Sequence, residues 1–203
     1  RQVEVALEQN EIDTAESLAR KALLLQPDSP EALSVLAGVR ILQNALPEAQ
    51  VLYEKALTHE ANNSTALKGL AQVYARSGQP AKGLAVLEKA LLADAGLAGT
   101  LAGTRADLLQ EQAKAFVLAQ RPGAALRALE TAVALAPDDA WVRHSLAQLY
   151  VRLQLPQEAR HAMDEGIALT PAAAPMRYAR ALIRSGLDDY QGALADMEHI
   201  APA

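Results

Sequence analysis

Apolar residues recur along this chain at the three- and four-residue spacing of one helix face, and the small ones among them keep a much longer period. Ala37, Ala71, Ala113, Ala147 and Ala181 are spaced 34, 42, 34 and 34 residues apart. Twelve residues beyond each stands another small residue: Ala49, Gly83, Ala125, Ala159 and Ala193. Seven further on come Ala56, Ala90, Ala132 and Gly166, with Ile200 departing from the pattern. Three registers of small residues in step predict pairs of antiparallel helices, because helices approach closely only where side chains are short and larger neighbours fill the grooves. Three residues after each first-helix alanine stands Arg40, Tyr74, Phe116, Tyr150 or Arg184, and these are expected to pack against the next helix. Pro27, Pro137 and Pro171 predict the ends of second helices. Asn44, Gly78 and Gln120 mark turns inside hairpins, and Asp28, Ser29, Asp138 and Asp139 sit where helix caps belong.

The predicted fold is therefore all-α: a right-handed superhelix of five to six antiparallel hairpins, read as 1–29 (its first helix truncated), 30–63, 64–97, 106–139, 140–173 and 174–203. The 42-residue step hides eight extra residues, Ala98 to Arg105, with Gly96, Gly99 and Gly103 around them. The expected organisation is an array over 1–95, an insert over 96–105 and a second array over 106–203 whose last repeat is irregular. Thr104 followed by Asp107 reads as a capping box. The insert is either a loop or an extension of the next helix by about two turns. Each glycine weakens a helix by about 1 kcal/mol relative to alanine, so the three glycines are expected to act as a hinge between the arrays.

Composition adds exclusions. Half of the 203 residues are apolar but only 3% are aromatic, a mix that suits close-packed helices and suits sheets poorly. A net charge of −5 carries no nucleic-acid footprint. Without cysteine there is no disulfide or thiolate metal site. No apolar run reaches the length of a membrane span. The start at Arg1 reads as a fragment of a longer protein. None of His59, His144, His161 and His199 has a partner at metal-ligand spacing, and His161 with Asp164 and Glu165 reads as a solvated helix face. Asp138-Asp139 and Asp188-Asp189 lie at helix starts, where capping explains them. The glycine-rich stretch lacks the Lys-Ser/Thr of a phosphate loop. No catalytic residue, cofactor or metal is expected.

Val35-Leu-Ala-Gly, Leu70-Ala-Gln-Val-Tyr and Leu146-Ala-Gln-Leu-Tyr, with Ala49 to Ala56 and Ala159 to Gly166, resemble the first and second helices of the tetratricopeptide repeat family. The resemblance covers nearly the whole chain and implies a binding scaffold. Arg143, where a large apolar residue is usual, and the register of the last unit depart from it. Members of the family that grip C-terminal carboxylates use Lys and Asn where this chain has Ser34, Gly38, Gly69 and Asp107, so a chaperone-adaptor role is disfavoured. A narrower similarity is to the periplasmic repeat region of the bacterial cellulose synthase operon protein C family. It rests on Ala15-Glu-x-Leu-Ala-Arg with Pro27, the eight-residue insert, Ala136-Pro-Asp-Asp-Ala-Trp-Val with Leu146, Met176-Arg-Tyr-Ala, Ser185-Gly and Ile200-Ala-Pro-Ala. That resemblance implies a periplasmic scaffold in exopolysaccharide export, ahead of an outer-membrane barrel, with protein partners of the export complex and contact with the emerging cellulose. It implies no nucleic acid and no membrane insertion of this region.

Such a solenoid is lined inside by its first helices. The positions expected to be exposed there are Glu31, Ser34, Gly38 and Ile41, then Thr65, Lys68, Gln72 and Arg76, then Asp107, Gln110 and Lys114, then Trp141, His144, Gln148 and Arg152. Trp141, His144, Gln148 and Arg152 share one helix face, with Tyr178 nearby, and form the leading candidate site. The preferred alternative is that Trp141 packs into the neighbouring hairpin in place of the apolar residue missing at Arg143. Lys68 and Arg76 form a second candidate patch, set against a solvated helix face. Three functions follow: an export scaffold, a generic peptide-binding adaptor of another bacterial envelope assembly, and a carbohydrate-binding module, which requires Trp141 and Tyr178 to be exposed on one face.

Overall fold

The computed structural model describes residues 12–200. The first helix expected for the opening repeat lies outside the described residues, as do the last three residues of the chain. Among the described residues there are eleven α-helices and no strand: α1 (Ile12–Leu25), α2 (Pro30–Leu42), α3 (Leu46–His59), α4 (Ser64–Arg76), α5 (Pro80–Ala93), α6 (Ala98–Leu118), α7 (Pro122–Leu135), α8 (Ala140–Arg152), α9 (Pro156–Leu169), α10 (Ala174–Ser185) and α11 (Tyr190–Glu198). A single turn of 3-10 helix, Ala95–Leu97, precedes α6. The chain divides into two compact units, Arg1–Leu108 and Leu109–Ala203, with the boundary inside α6.

Local chemistry starts and stops these helices. The side chains of Ser29, Asn63, Asp139 and Asp189 each accept a hydrogen bond from a backbone N–H in the first turn of α2, α4, α8 and α11. Asp28 pairs instead with Lys55, at 3.0 Å. Pro30, Pro80, Pro122 and Pro156 each occupy the first helical position, where the missing N–H costs nothing. The chain reverses inside each hairpin at a left-handed residue: Asn44, Gly78, Gln120, Gln154 and Asp188 have φ of 59°, 69°, 55°, 60° and 62°. The first three were marked by the sequence pattern. All five keep the same 34, 42, 34, 34 spacing as the alanines.

The small-residue registers are the lines of closest helix approach. Ala15, Ala49, Ala125 and Ala159 are fully buried. One apolar register runs through the second helices: Ala19, Tyr53, Leu87, Leu129 and Met163 are buried, whereas the equivalent Met197 on α11 is 41% exposed. In the N-terminal unit Leu33, Ala37, Ala49, Tyr53, Leu70 and Val73 belong to one core cluster. In the C-terminal unit one cluster gathers Ala113, Ala125, Leu129 and Leu149, and another gathers Ala147, Ala159, Met163, Met176 and Ile183.

The insert is helical. Residues 98–105 form the opening turns of α6, so Thr104 and Asp107 lie inside the helix and the expected capping box does not form. Asp94 caps the preceding 3-10 turn instead, accepting from the Gly96 N–H at 2.9 Å. Gly99 and Gly103 together cost the helix about 2 kcal/mol, but Leu101 and Leu108 are almost wholly buried, and each contributes about 1.5–3 kcal/mol. Burial prevails over propensity. Ser34 and Ile41, expected on the exposed inner face, are also buried; the Ser34 hydroxyl donates to the Pro30 carbonyl at 2.7 Å and needs no solvent.

Candidate interaction surface

Asp139 fixes the start of α8, and the helix then carries Trp141, His144, Gln148 and Arg152 along one face. The Trp141 and His144 rings stand 5.8 Å apart, tilted by 32°. The Gln148 side-chain amide lies 2.9 Å from His144 Nε2, within hydrogen-bond distance. Burial holds the His144 pKa below its ordinary value, so the ring is neutral near pH 7 and adds no charge to the surface. Trp141 is 52% exposed. It does not replace an apolar residue at position 143. Arg143 is itself largely buried there: its guanidinium donates to the Pro137 carbonyl and lies 3.4 Å from Glu165.

Arg152 ends this face and borders two adjoining cavities. One, of about 250 Å³, has Ala113, Val117, Leu118, Leu129 and Leu149 as apolar walls and Gln110, Lys114 and Ser145 at its edge. The other, of about 620 Å³, is walled by Val151, Pro156, Met163, Ala179, Leu182 and Ile183. Gln148 and Arg152 line both. Tyr178 on α10 is 51% exposed but lines neither cavity. Trp141 and His144 line neither cavity either, so of the candidate residues only Gln148 and Arg152 reach these two cavities.

In the N-terminal unit Lys68 lines a cavity of about 390 Å³ with Tyr53, Thr65, Gln72, Thr104 and Asp107. Arg76 does not share it; its guanidinium donates to the Ile41 carbonyl at 3.3 Å and ties α4 to the preceding hairpin. Of the proposed hinge residues, Gly99 and Gly103 lie on the exposed side of α6 and Gly96 in the 3-10 turn.

The family model of the tetratricopeptide repeat matches residues 40–102 and 116–183, and a second model of the same repeat matches residues 1–64. The chain belongs to the tetratricopeptide repeat family. It is a scaffold of the kind that binds proteins or peptides. Comparison with curated proteins returns no match. Among solved structures, pilF of Pseudomonas aeruginosa is similar at 19% identity and a TM-score of 0.76, over 96% of this chain and 85% of that one. MamA of Desulfovibrio magneticus RS-1 is similar at 18% identity and a TM-score of 0.62, over 85% and 93%. YrrB, described as a tetratricopeptide protein with an unusual peptide-binding site, is similar at 21% identity and a TM-score of 0.57, over 90% of each chain. At these identities the likeness is one of fold.

Within this tetratricopeptide array, the slot three residues after each first-helix alanine is met by charge as well as packing. Tyr74 Oη lies 3.4 Å from both Glu54 and Gln50. Arg121 stands over the Phe116 ring at 5.1 Å. Arg40 bonds Glu16 and Glu48 at 2.9 and 2.8 Å. Glu16 also accepts from Gln43 and Arg20; these bonds, led by that of Arg40, lower its pKa to about 2. Arg184 reaches Asp164 at 3.8 Å and Asp196 at 3.0 Å.

Asp196 is the centre that sequence reasoning missed. It is 2% exposed and is met by Arg177, Arg180 and Arg184. Burial raises the cost of its charge, but the Arg180 hydrogen bond and the three guanidinium charges outweigh that and hold its pKa below the ordinary value. A signal was present. Arg177, Arg180 and Arg184 share one face of α10, and Asp196 occupies a register filled elsewhere by Ala128 and Ala162.

Proposed function

We propose that this chain is a non-catalytic scaffold that assembles protein partners of a bacterial cellulose-export complex, and that partners sit in the groove of its C-terminal unit. The observation that carries the partner-binding reading is the pair of open, largely apolar cavities that meet at Gln148 and Arg152. Concave apolar surface with a few convergent polar groups is the ordinary form of a binding site. The periplasmic, cellulose-exporting setting rests on the resemblance of Ala136 to Val142, the insert and the closing motif. Gly96, Gly99 and Gly103 serve in this reading as a hinge that lets the scaffold follow its partners.

Deleting the gene in its bacterium and measuring secreted cellulose tests the setting. Loss of secretion, restored by the wild-type chain, supports it; normal secretion removes it and leaves a peptide-binding adaptor of another envelope assembly. Exchanging Gly99 and Gly103 for alanine in the complementing gene tests the hinge: secretion is expected to fall, and full complementation removes the hinge.

The exposure of Trp141 and Tyr178 favours a second reading, direct contact with glucan, since aromatic faces stack on sugar rings. Titration with cello-oligosaccharides, followed by Trp141 fluorescence and by NMR shifts, decides it. Saturable shifts at Trp141, His144 and Tyr178 support sugar contact, and silence at millimolar sugar rejects it.

A further inference from the structure

The cavities in the C-terminal unit are asymmetric in charge. Their lining holds two cations, Lys114 and Arg152, and the amides of Gln110, Gln148 and Gln154, but no carboxylate. The chain as a whole carries −5, so this lining runs against the general charge. Lys114 is engaged by Glu111 at 2.7 Å. Arg152 makes no ion pair with any described residue. An unengaged guanidinium is a planar fork that takes a carboxylate by two parallel hydrogen bonds. On one side of it lie Val117 and Leu149, on the other Val151, Leu182 and Ile183.

We propose that the groove receives a short protein segment in which one carboxylate side chain is flanked on both sides by apolar residues. This rests on the reading of the groove as a partner site. The carboxylate pairs with Arg152, and the flanking side chains enter the two cavities. The amides of Gln148 and Gln154 are placed to bond the segment's backbone. One unpaired cation suits one carboxylate; a phosphorylated segment calls for a cluster of arginines, and the arginines of α10 are already taken by Asp164 and Asp196. The flanking apolar residues exclude water from the ion pair, so the pair gains strength that a fully exposed one lacks.

The test uses the whole chain and three fluorescein-labelled peptides, Ser-Leu-Val-Asp-Leu-Leu-Ser and its analogues with Asn or Lys in place of Asp. Anisotropy is expected to give about tenfold tighter binding for the Asp peptide than for the Asn peptide, a difference of about 1.4 kcal/mol, with the Lys peptide weakest. That preference should shrink as salt is raised. Arg152→Gln should abolish it and Arg152→Glu should turn it toward Lys; circular dichroism checks that both variants fold. Equal binding of the Asp and Asn peptides, unchanged in both variants, overturns the segment class and leaves the groove reading standing. Absence of binding by all three peptides, with no NMR shift at Leu182 or Ile183, overturns both.

Discussion

The ring of Tyr53 occupies the space that a β-carbon on Gly69 would need. Built there, that carbon would fall well inside van der Waals contact of the ring's Cζ, Cε1 and Oη. Tyr53 is the bulkiest residue of its register, standing where other second helices carry alanine, leucine or methionine. It is buried, and burial pushes its hydroxyl pKa up to about 12. The large ring and the missing side chain are one packing solution.

A Gly69→Ala variant tests this directly. Helix propensity alone favours alanine by about 1 kcal/mol, whereas overpacking a buried site costs about 1–3 kcal/mol. The contact is close enough that overpacking should win, and urea unfolding should show a net loss of up to about 2 kcal/mol. In a Tyr53→Ala background the same exchange should turn stabilising. An equal effect in both backgrounds would show that the two residues are uncoupled.

Gly99 and Gly103 should behave in the opposite way. Both lie within α6 and meet no atom within 4 Å of a built β-carbon. Alanine at either position should raise stability by about 1 kcal/mol, seen as a higher thermal midpoint. A lowered midpoint would mean that the start of α6 needs glycine for some other contact.

Acid should loosen the N-terminal unit through Glu16. Its folded pKa is near 2, below the ordinary 4.5. A depressed carboxylate contributes stability above its unfolded pKa and loses it as pH falls. The loss should therefore run from about pH 4.5 down to about pH 2. Comparing thermal midpoints of wild type and Glu16→Gln over that range checks it: the gap should be full at pH 6 and close toward pH 2.

Replacing Asp196 with alanine should be severe. Arg177, Arg180 and Arg184 would remain partly buried without their shared counter-charge, and breaking a buried pair from one side costs about 3–5 kcal/mol. Each repeat leans chiefly on its neighbours, so the damage should concentrate in α10 and α11. Amide exchange there should accelerate far more than in α2 to α5. A uniform change along the chain would contradict a local role.

What the sequence made legible was what repeats. Ala37, Ala71, Ala113, Ala147 and Ala181 carried the hairpin spacing, and Asn44, Gly78 and Gln120 carried the turns. Gln154 and Asp188 occupy the same turn but look ordinary alone; only the period exposes them. The insert was half legible: its length allowed about two added turns of helix and its glycines allowed a loop, and the burial of Leu101 that decides between them is a tertiary fact. Gln148 and Arg152 emerged as groove residues because helix spacing alone places them together. The Asp196 cluster stayed hidden because the acid on α11 and the three arginines on α10 meet only once those two helices pack. Trp141 was expected to pack into the neighbouring hairpin but is half exposed, while the Arg143 side chain is the one that is largely buried.

The exposure of Met197 gives that register a chemical handle. The chain has three methionines. Met163 and Met176 are sealed inside the C-terminal unit, while the Met197 side chain meets water. Thioether oxidation follows access, so dilute peroxide should convert Met197 to its sulfoxide first, leaving the other two thioethers reduced until the unit opens. Any helix that comes to rest against α11 should slow that reaction, and mass spectrometry of a single tryptic peptide would report the docking.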